Sequence, residues 1–175
     1  RRQARRLPRR SKRVASKVYL APLAGITDAA MREACIECGA DLTFTEMVSA
    51  KGLQYNNAKT KKLLDLSPLE KRVGVQLFGS EREVLAENAR RVQDMLGGSL
   101  HEINLNMGCP VPKVVKNGEG AAMMLEPAKA AGIISAVAGA VDVPVTVKFR
   151  KGFDEQHVNA VEFARMCEDS GATEI

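Results

Sequence analysis

The residues with the most chemical potential lie in one stretch, Asn104-Leu-Asn-Met-Gly-Cys-Pro110. It follows an apolar, strand-like run from His101 to Leu105 and sets Cys109 between a glycine and a proline. Glycine permits a sharp turn, and proline fixes its own φ while removing a backbone donor. A thiol held just past a strand on such a turn is expected to be presented to something. The competing reading is a small buried side chain, the usual fate of a free cysteine. Loops that follow strands nevertheless carry catalytic groups disproportionately. Polar residues recur at the ends of other apolar runs: Glu46, Gln76, Lys148 and Arg150. Cys35 and Cys38 make half of a metal or redox motif, but no second pair accompanies them. Both fall on the expected apolar face of a helix, so core packing is the expectation for them, as it is for Cys167. His101 and His157 stand in no catalytic pattern, and Lys59, Lys61 and Lys62 form a polar face that is either solvated or turned to an anionic partner.

The elements that must position these residues alternate. Val18–Ala21 reads as a strand ended by Pro22. Thr27 is the expected cap of a helix with Met31, Ala34, Cys35 and Cys38 inward and Gly39 as its stop. Leu42–Thr45 is a second strand, and the Lys-rich stretch from Asn56 to Leu64 a helix. Val73–Phe78 is a third strand. Ser80 and Glu83 form a capping-box pair for a helix with Leu85, Ala89, Val92 and Leu96 on one face. Glu102–Leu105 is the fourth strand, Pro127 opens a helix to about Ala140, and Val143–Lys148 is the fifth strand. A helix from about Glu155 to Ser170 leads into Ala172–Ile175, the start of a sixth strand.

Strand and helix in alternation predict a parallel α/β fold. The first strand–helix turn, Pro22-Leu-Ala-Gly25, lacks the glycine fingerprint of a dinucleotide-binding sheet. A barrel gathers the C-terminal strand ends at one mouth, where the polar residues named above would meet. The expected architecture is therefore a (β/α)8 TIM barrel. A whole barrel needs eight strands and about 250 residues, so residues 18–175 are expected to be its N-terminal portion, truncated after about five and a half units.

With 45% hydrophobic residues among 175, the chain can bury a core. No run reaches the roughly 20 apolar residues that span a bilayer, which argues against a membrane. The basic start is not followed by an apolar segment, so a signal peptide is not expected. Four sparse cysteines suit a reducing cytoplasm. Residues 1–17 hold nine Lys or Arg and no acid. Beyond them 17 of the 26 basic residues face 21 acids, so the net +5 becomes −4. This basic tail is expected to be disordered, and either binds phosphate backbones by counterion release or is a solvated extension. The chain opens without Met, so its first residue is not expected to be the natural one, and the tail is alternatively a stretch upstream of the true start.

Five segments make the reading specific: Ala21-Pro-Leu-Ala-Gly-Ile-Thr-Asp28, Glu46-Met47, Val75-Gln-Leu-Phe-Gly79, Ile103-Asn-Leu-Asn-Met-Gly-Cys-Pro110 and Val145-Thr-Val-Lys-Phe-Arg-Lys-Gly152. In order and spacing they resemble the tRNA-dihydrouridine synthases, and most closely their bacterial, nitrogen-regulation-protein-like branch. The resemblance covers residues 18–175. It implies an FMN-dependent enzyme, with NADPH or NADH as reductant, that reduces uridine in tRNA. It places the proton donor at Cys109, so that hydride goes to C6 of the uracil and the thiol protonates C5 from the opposite face. That step requires a thiol still carrying its proton. The resemblance also implies flavin contacts at Pro22, Leu23, Ala24, Gln76 and Lys148, and substrate contacts at Asn106 and Arg150. Taken without it, Gln76 reads more simply as a hydrogen-bonded interior residue and Lys148 as the ion-pair partner of Glu46 or another neighbouring acid. The loop from Val111 to Gly120 is expected to close over a flipped-out uridine. The complete enzyme is expected to be a monomer. The family's flavin-phosphate loops and helical tRNA-binding domain are expected beyond Ile175, so the chain alone should be inactive. Two alternatives stand beside this reading: another FMN barrel such as a dihydroorotate-dehydrogenase-like enzyme, and a non-catalytic RNA-binding protein.

Overall fold

The computed structural model describes residues 17–175. Apart from Lys17, the basic stretch of residues 1–17 lies outside the described residues. The strands are β1 (Tyr19–Leu20), β2 (Leu42–Phe44), β3 (Val48–Ser49), β4 (Val73–Phe78), β5 (Leu100–Met107) and β6 (Val145–Phe149). The helices are α1 (Ala29–Glu37), α2 (Ala50–Gln54), α3 (Ala58–Lys62), α4 (Arg82–Leu96), α5 (Pro112–Val115), α6 (Pro127–Ala138) and α7 (Ala160–Asp169). All strands pair in parallel in the order β1-β2-β4-β5-β6, with β3 also on β4. Sequential neighbours with helical crossovers form the arc of a (β/α) barrel, the architecture expected, and Glu174 bridges Thr146 beyond β6.

Side-chain alternation assigns the two faces of the sheet. Val73, Val75 and Leu77 of β4, Ile103, Leu105 and Met107 of β5, and Val145 and Val147 of β6 point to the helices. There they meet Leu85, Ala89 and Val92 of α4, Ile133, Ile134 and Val137 of α6, and Phe163 and Cys167 of α7 in one continuous core. At about 25 cal/mol per Å² of apolar surface, this layer is the main source of stability. The opposite face, toward the barrel axis, holds Phe44, Gly74, Gln76, Glu102, Asn104, Asn106, Thr146 and Lys148. Gly74 is required there because an added Cβ would lie 2.3 Å from the Phe44 ring.

The first helix departs from expectation. Met31 and Cys38 are exposed and Cys35 is half-buried; its buried residue is Arg32. Arg32 is accommodated because Glu70 meets it with two hydrogen bonds, at 2.5 and 2.9 Å. The guanidinium also donates to the carbonyls of Thr27 and Asp65, while Thr43 and the Ser67 amide donate to Glu70. Apolar periodicity cannot reveal a buried ion pair whose partner lies 38 residues away. Of the three helical cysteines expected in the core, only Cys167 is there, and burial pushes its thiol up to about 11.

Several boundaries also move. Asp28, not Thr27, caps α1 by accepting from the Met31 amide; Thr27 instead bonds the backbone of Leu23. The helix expected over Asn56–Leu64 is present but shorter, α3 from Ala58 to Lys62, because Asn56 takes φ 55° and Asn57 caps it; the unexpected α2 precedes it and ends at Gln54. The capping box of Ser80 and Glu83 does not form, because Glu83 pairs with Arg82 and α4 starts at Arg82 without a side-chain cap. The last helix begins at Ala160 rather than near Glu155, since Gly152 and Val158 pair as a bridge just before it.

Candidate active site

Every candidate from the sequence lies at or near a C-terminal strand end, but the structure does not make one cluster of them. Pro22, Leu23 and Ala24 form the loop after β1, half-buried to exposed, with Leu23 47% exposed. That loop is tied to the next strand because the Gly25 amide donates to Glu46. Glu46 reaches it from a bulge: Phe44 pairs with Gly74 and Val48 with Leu77, so one strand uses four residues where its neighbour uses three. Such a bulge re-aims a side chain at a barrel rim. Glu46 is thereby committed to the β1 loop, and Lys148 forms no ion pair among the described residues. Lys148 is exposed and Arg150 is exposed beyond the end of β6.

Around Cys109 the geometry is tight. Asn106 turns its Oδ1 back to accept from the amides of Gly108 (3.2 Å) and Cys109 (2.9 Å). This Asx turn ends β5 and fixes the cysteine backbone. Gly108 has no left-handed φ. Its lack of a side chain serves close approach instead, since a Cβ would lie 3.3 Å from the Phe149 Cα and 3.2 Å from the Arg150 stem. On the other side, the Ala121 amide donates to the Cys109 carbonyl at 2.9 Å. Gly120 makes this possible with φ 59°, where an added Cβ would stand 2.6 Å from that carbonyl oxygen. Cys109 is half-buried, with its backbone held from both sides. The loop after it contains the short helix α5 and is followed by a 3-10 turn over Gly120–Leu125.

Behind Asn106, a file of hydrogen bonds runs through Gln76 into three polar side chains that the sequence reading did not single out, Asn104, Thr146 and Glu102. Asn106 Nδ2 donates to Gln76 Oε1 (2.8 Å), and Gln76 Nε2 donates to Asn104 Oδ1 (2.6 Å). Asn104 Nδ2 donates to Thr146 Oγ1 (2.8 Å), which donates to Glu102 Oε1 (2.6 Å). Register explains the file: Gln76, Asn104 and Thr146 are lateral partners on β4, β5 and β6. Burial pushes the Glu102 carboxyl up, opposed by the Thr146 hydroxyl bond. Glu102, Asn104 and Thr146 also line a cleft of about 270 Å³ that includes Lys148 and Glu174. A signal was present in the sequence, for Glu102, Asn104 and Asn106 alternate with apolar residues, whereas buried parallel strands ordinarily read as continuous apolar runs. His157 stands apart from the file, paired with Asp154, while His101 is hydrogen-bonded to Arg72 and its Nε2 lies 4.0 Å from Glu102 Oε2 at the end of the file.

A protein-family model described as dihydrouridine synthase (Dus) matches residues 19–175. The chain is 41% identical over 160 residues to a probable tRNA-dihydrouridine synthase of Treponema pallidum, covering 89% of this chain and 46% of that relative. It is 37% identical over 160 residues to tRNA-dihydrouridine synthase B of Shewanella oneidensis, covering 91% and 49% respectively. Against tRNA-dihydrouridine synthase B of Pseudomonas aeruginosa it is 37% identical over 156 residues, covering 89% and 46%. The chain thus spans about half the length of the curated relatives it matches.

Proposed function

The chain belongs to the dihydrouridine synthase family, and we propose that its protein reduces uridines of tRNA to 5,6-dihydrouridine in the cytoplasm, with Cys109 as the acid. The observation that carries this reading is the double clamp on Cys109: Asn106 holds its amide and the Ala121 amide holds its carbonyl, leaving a half-buried thiol at the strand ends. An acid must be held within reach of the atom it protonates, and a backbone fixed on both sides does that. No helix among the described residues is long and apolar enough to cross a membrane.

The residues present fit a flavin. Lys148 is an exposed cation without an acidic partner among the described residues, suited to negative charge on a reduced ring. The backbone of residues 22–24 is accessible at the next rim position. Gln76 is buried with its amide engaged to Asn104 and Asn106, so it supports the site from beneath. The chemistry that bound FMN supplies is hydride for C6 of the uracil, with NADPH or NADH as its reductant. Cys109 gives its proton to C5, and Asn106 keeps the thiol in place while it does so. Arg150 is exposed beside Gly108, and in this reading it contacts a phosphate of the RNA. The working protein is a monomer in this reading.

Deletion of the gene, followed by mass spectrometry of cellular tRNA, tests the reading. Loss of dihydrouridine at one or more positions is expected, together with yellow colour in the purified protein. Unchanged dihydrouridine in tRNA from the deletion strain would overturn it.

A further inference from the structure

Hydrogen-bond polarity along the file between Cys109 and Glu102 can follow only one direction. Backbone amides only donate, so the Asn106 atom facing Gly108 and Cys109 must be its oxygen. Its NH₂ then faces Gln76, which must offer oxygen there and NH₂ to Asn104. By the same step Asn104 offers oxygen to Gln76 and NH₂ to Thr146, leaving the Thr146 hydroxyl hydrogen for Glu102. At the far end a carboxylate only accepts, and 2.6 Å is the expected length for a hydroxyl donating to one. Both ends demand the same orientation, so no amide in the file can rotate by 180° without breaking bonds on two sides. Aligned hydrogen bonds of this kind also reinforce one another.

We infer that Glu102, Asn104 and Thr146 are positioning residues for Cys109, acting through Gln76 and Asn106 to hold the turn that carries the thiol. None of the three touches the cysteine. Their effect comes from leaving Gln76 and Asn106 one orientation each, which fixes the acceptor that both turn amides need. The purpose of this device rests on the role proposed for Cys109, but its existence does not, because neither flavin nor RNA takes part in it.

The test uses the protein carrying this chain and follows alkylation of the Cys109 peptide by mass spectrometry. Thr146→Val removes the link to Glu102 with little change in shape, and is expected to raise the alkylation rate at least about threefold. Thr146→Ser, which keeps the hydroxyl, is expected to restore the parent rate. Thr43→Val removes one hydrogen bond to Glu70, outside the file, and is expected to leave the rate unchanged. Equal rates for Thr146→Val and the parent would overturn the inference, and so would an increase with Thr43→Val as large as that with Thr146→Val. A measurement on the unmutated protein stands even if Thr146→Val fails to fold. The side-chain NH₂ protons of Gln76, Asn104 and Asn106 should exchange with solvent at least about tenfold more slowly than those of exposed Asn57; equal exchange would refute the file. Loss of dihydrouridine activity bears on none of these readouts, so the inference and the proposed function can fail separately.

Discussion

Two buried polar assemblies face each other across this sheet, and they differ in how they end. The knot of Arg32 and Glu70 closes on itself: cation meets anion, and surrounding carbonyls, the Thr43 hydroxyl and the Ser67 amide take up the remaining valences. The file from Glu102 to Asn106 is open at one end, where it terminates on the backbone of a half-buried thiol. Buried polarity by itself therefore does not mark a site. A closed cluster fastens α1 and the segment before β4 to the sheet, whereas the open one ends on the turn that carries half-buried Cys109.

The largest effect should come from opening the closed assembly. Glu70→Ala leaves the Arg32 charge buried without a counterion, and should lower stability by about 3–5 kcal/mol in denaturant unfolding. A loss below about 1 kcal/mol would mean that the knot is not the structural fastening described here. Next in size is Gly120→Ala, at the open assembly. The left-handed backbone and the close approach to the Cys109 carbonyl together should cost about 2 kcal/mol. The same variant should alter Cys109 alkylation more than Glu70→Ala does under native conditions, which sharpens the contrast between the two regions.

The smallest effect concerns the closed, apolar side of the sheet, where Cys167 has its thiol pushed up to about 11 from 9.0 by burial. A raised folded-state value means that stability is fully present below pH 9.0 and is lost as pH rises through about 11. Near pH 10 the loss should be about 1 kcal/mol, and it should vanish in Cys167→Ala relative to that variant's own neutral-pH stability. An identical alkaline decline in Cys167→Ala would assign it to another group.

Much of the barrel arc could be read from the chain because its long elements announce themselves. Val73–Phe78 and Pro127–Ala138 are dense in residues that suit a strand or a helix, and both occur within a residue or two of expectation. Short-range chemistry was less legible. Thr27 and Asp28 are both good helix caps, and only the three-dimensional path of the β1 loop decides between them. The inward side of α1 was misread because Arg32 looks like a surface residue until Glu70 is brought to it by the fold. At the site, Cys109 stood out through its turn and Asn106 through the resemblance of the segment around it. Glu102, Asn104 and Thr146 did not, because their meaning depends on strand register, which pairs residues 28 to 44 positions apart.

The most direct measurement is the dihydrouridine content of tRNA in cells whose only copy of this protein carries Cys109→Ala, beside cells carrying Cys167→Ala. Loss of a positioned acid is expected to lower the rate by about 10²–10⁴. Cys109→Ala should therefore leave the tRNA as unmodified as gene deletion does, while Cys167→Ala retains dihydrouridine. Normal dihydrouridine with folded Cys109→Ala protein would contradict the account at its centre.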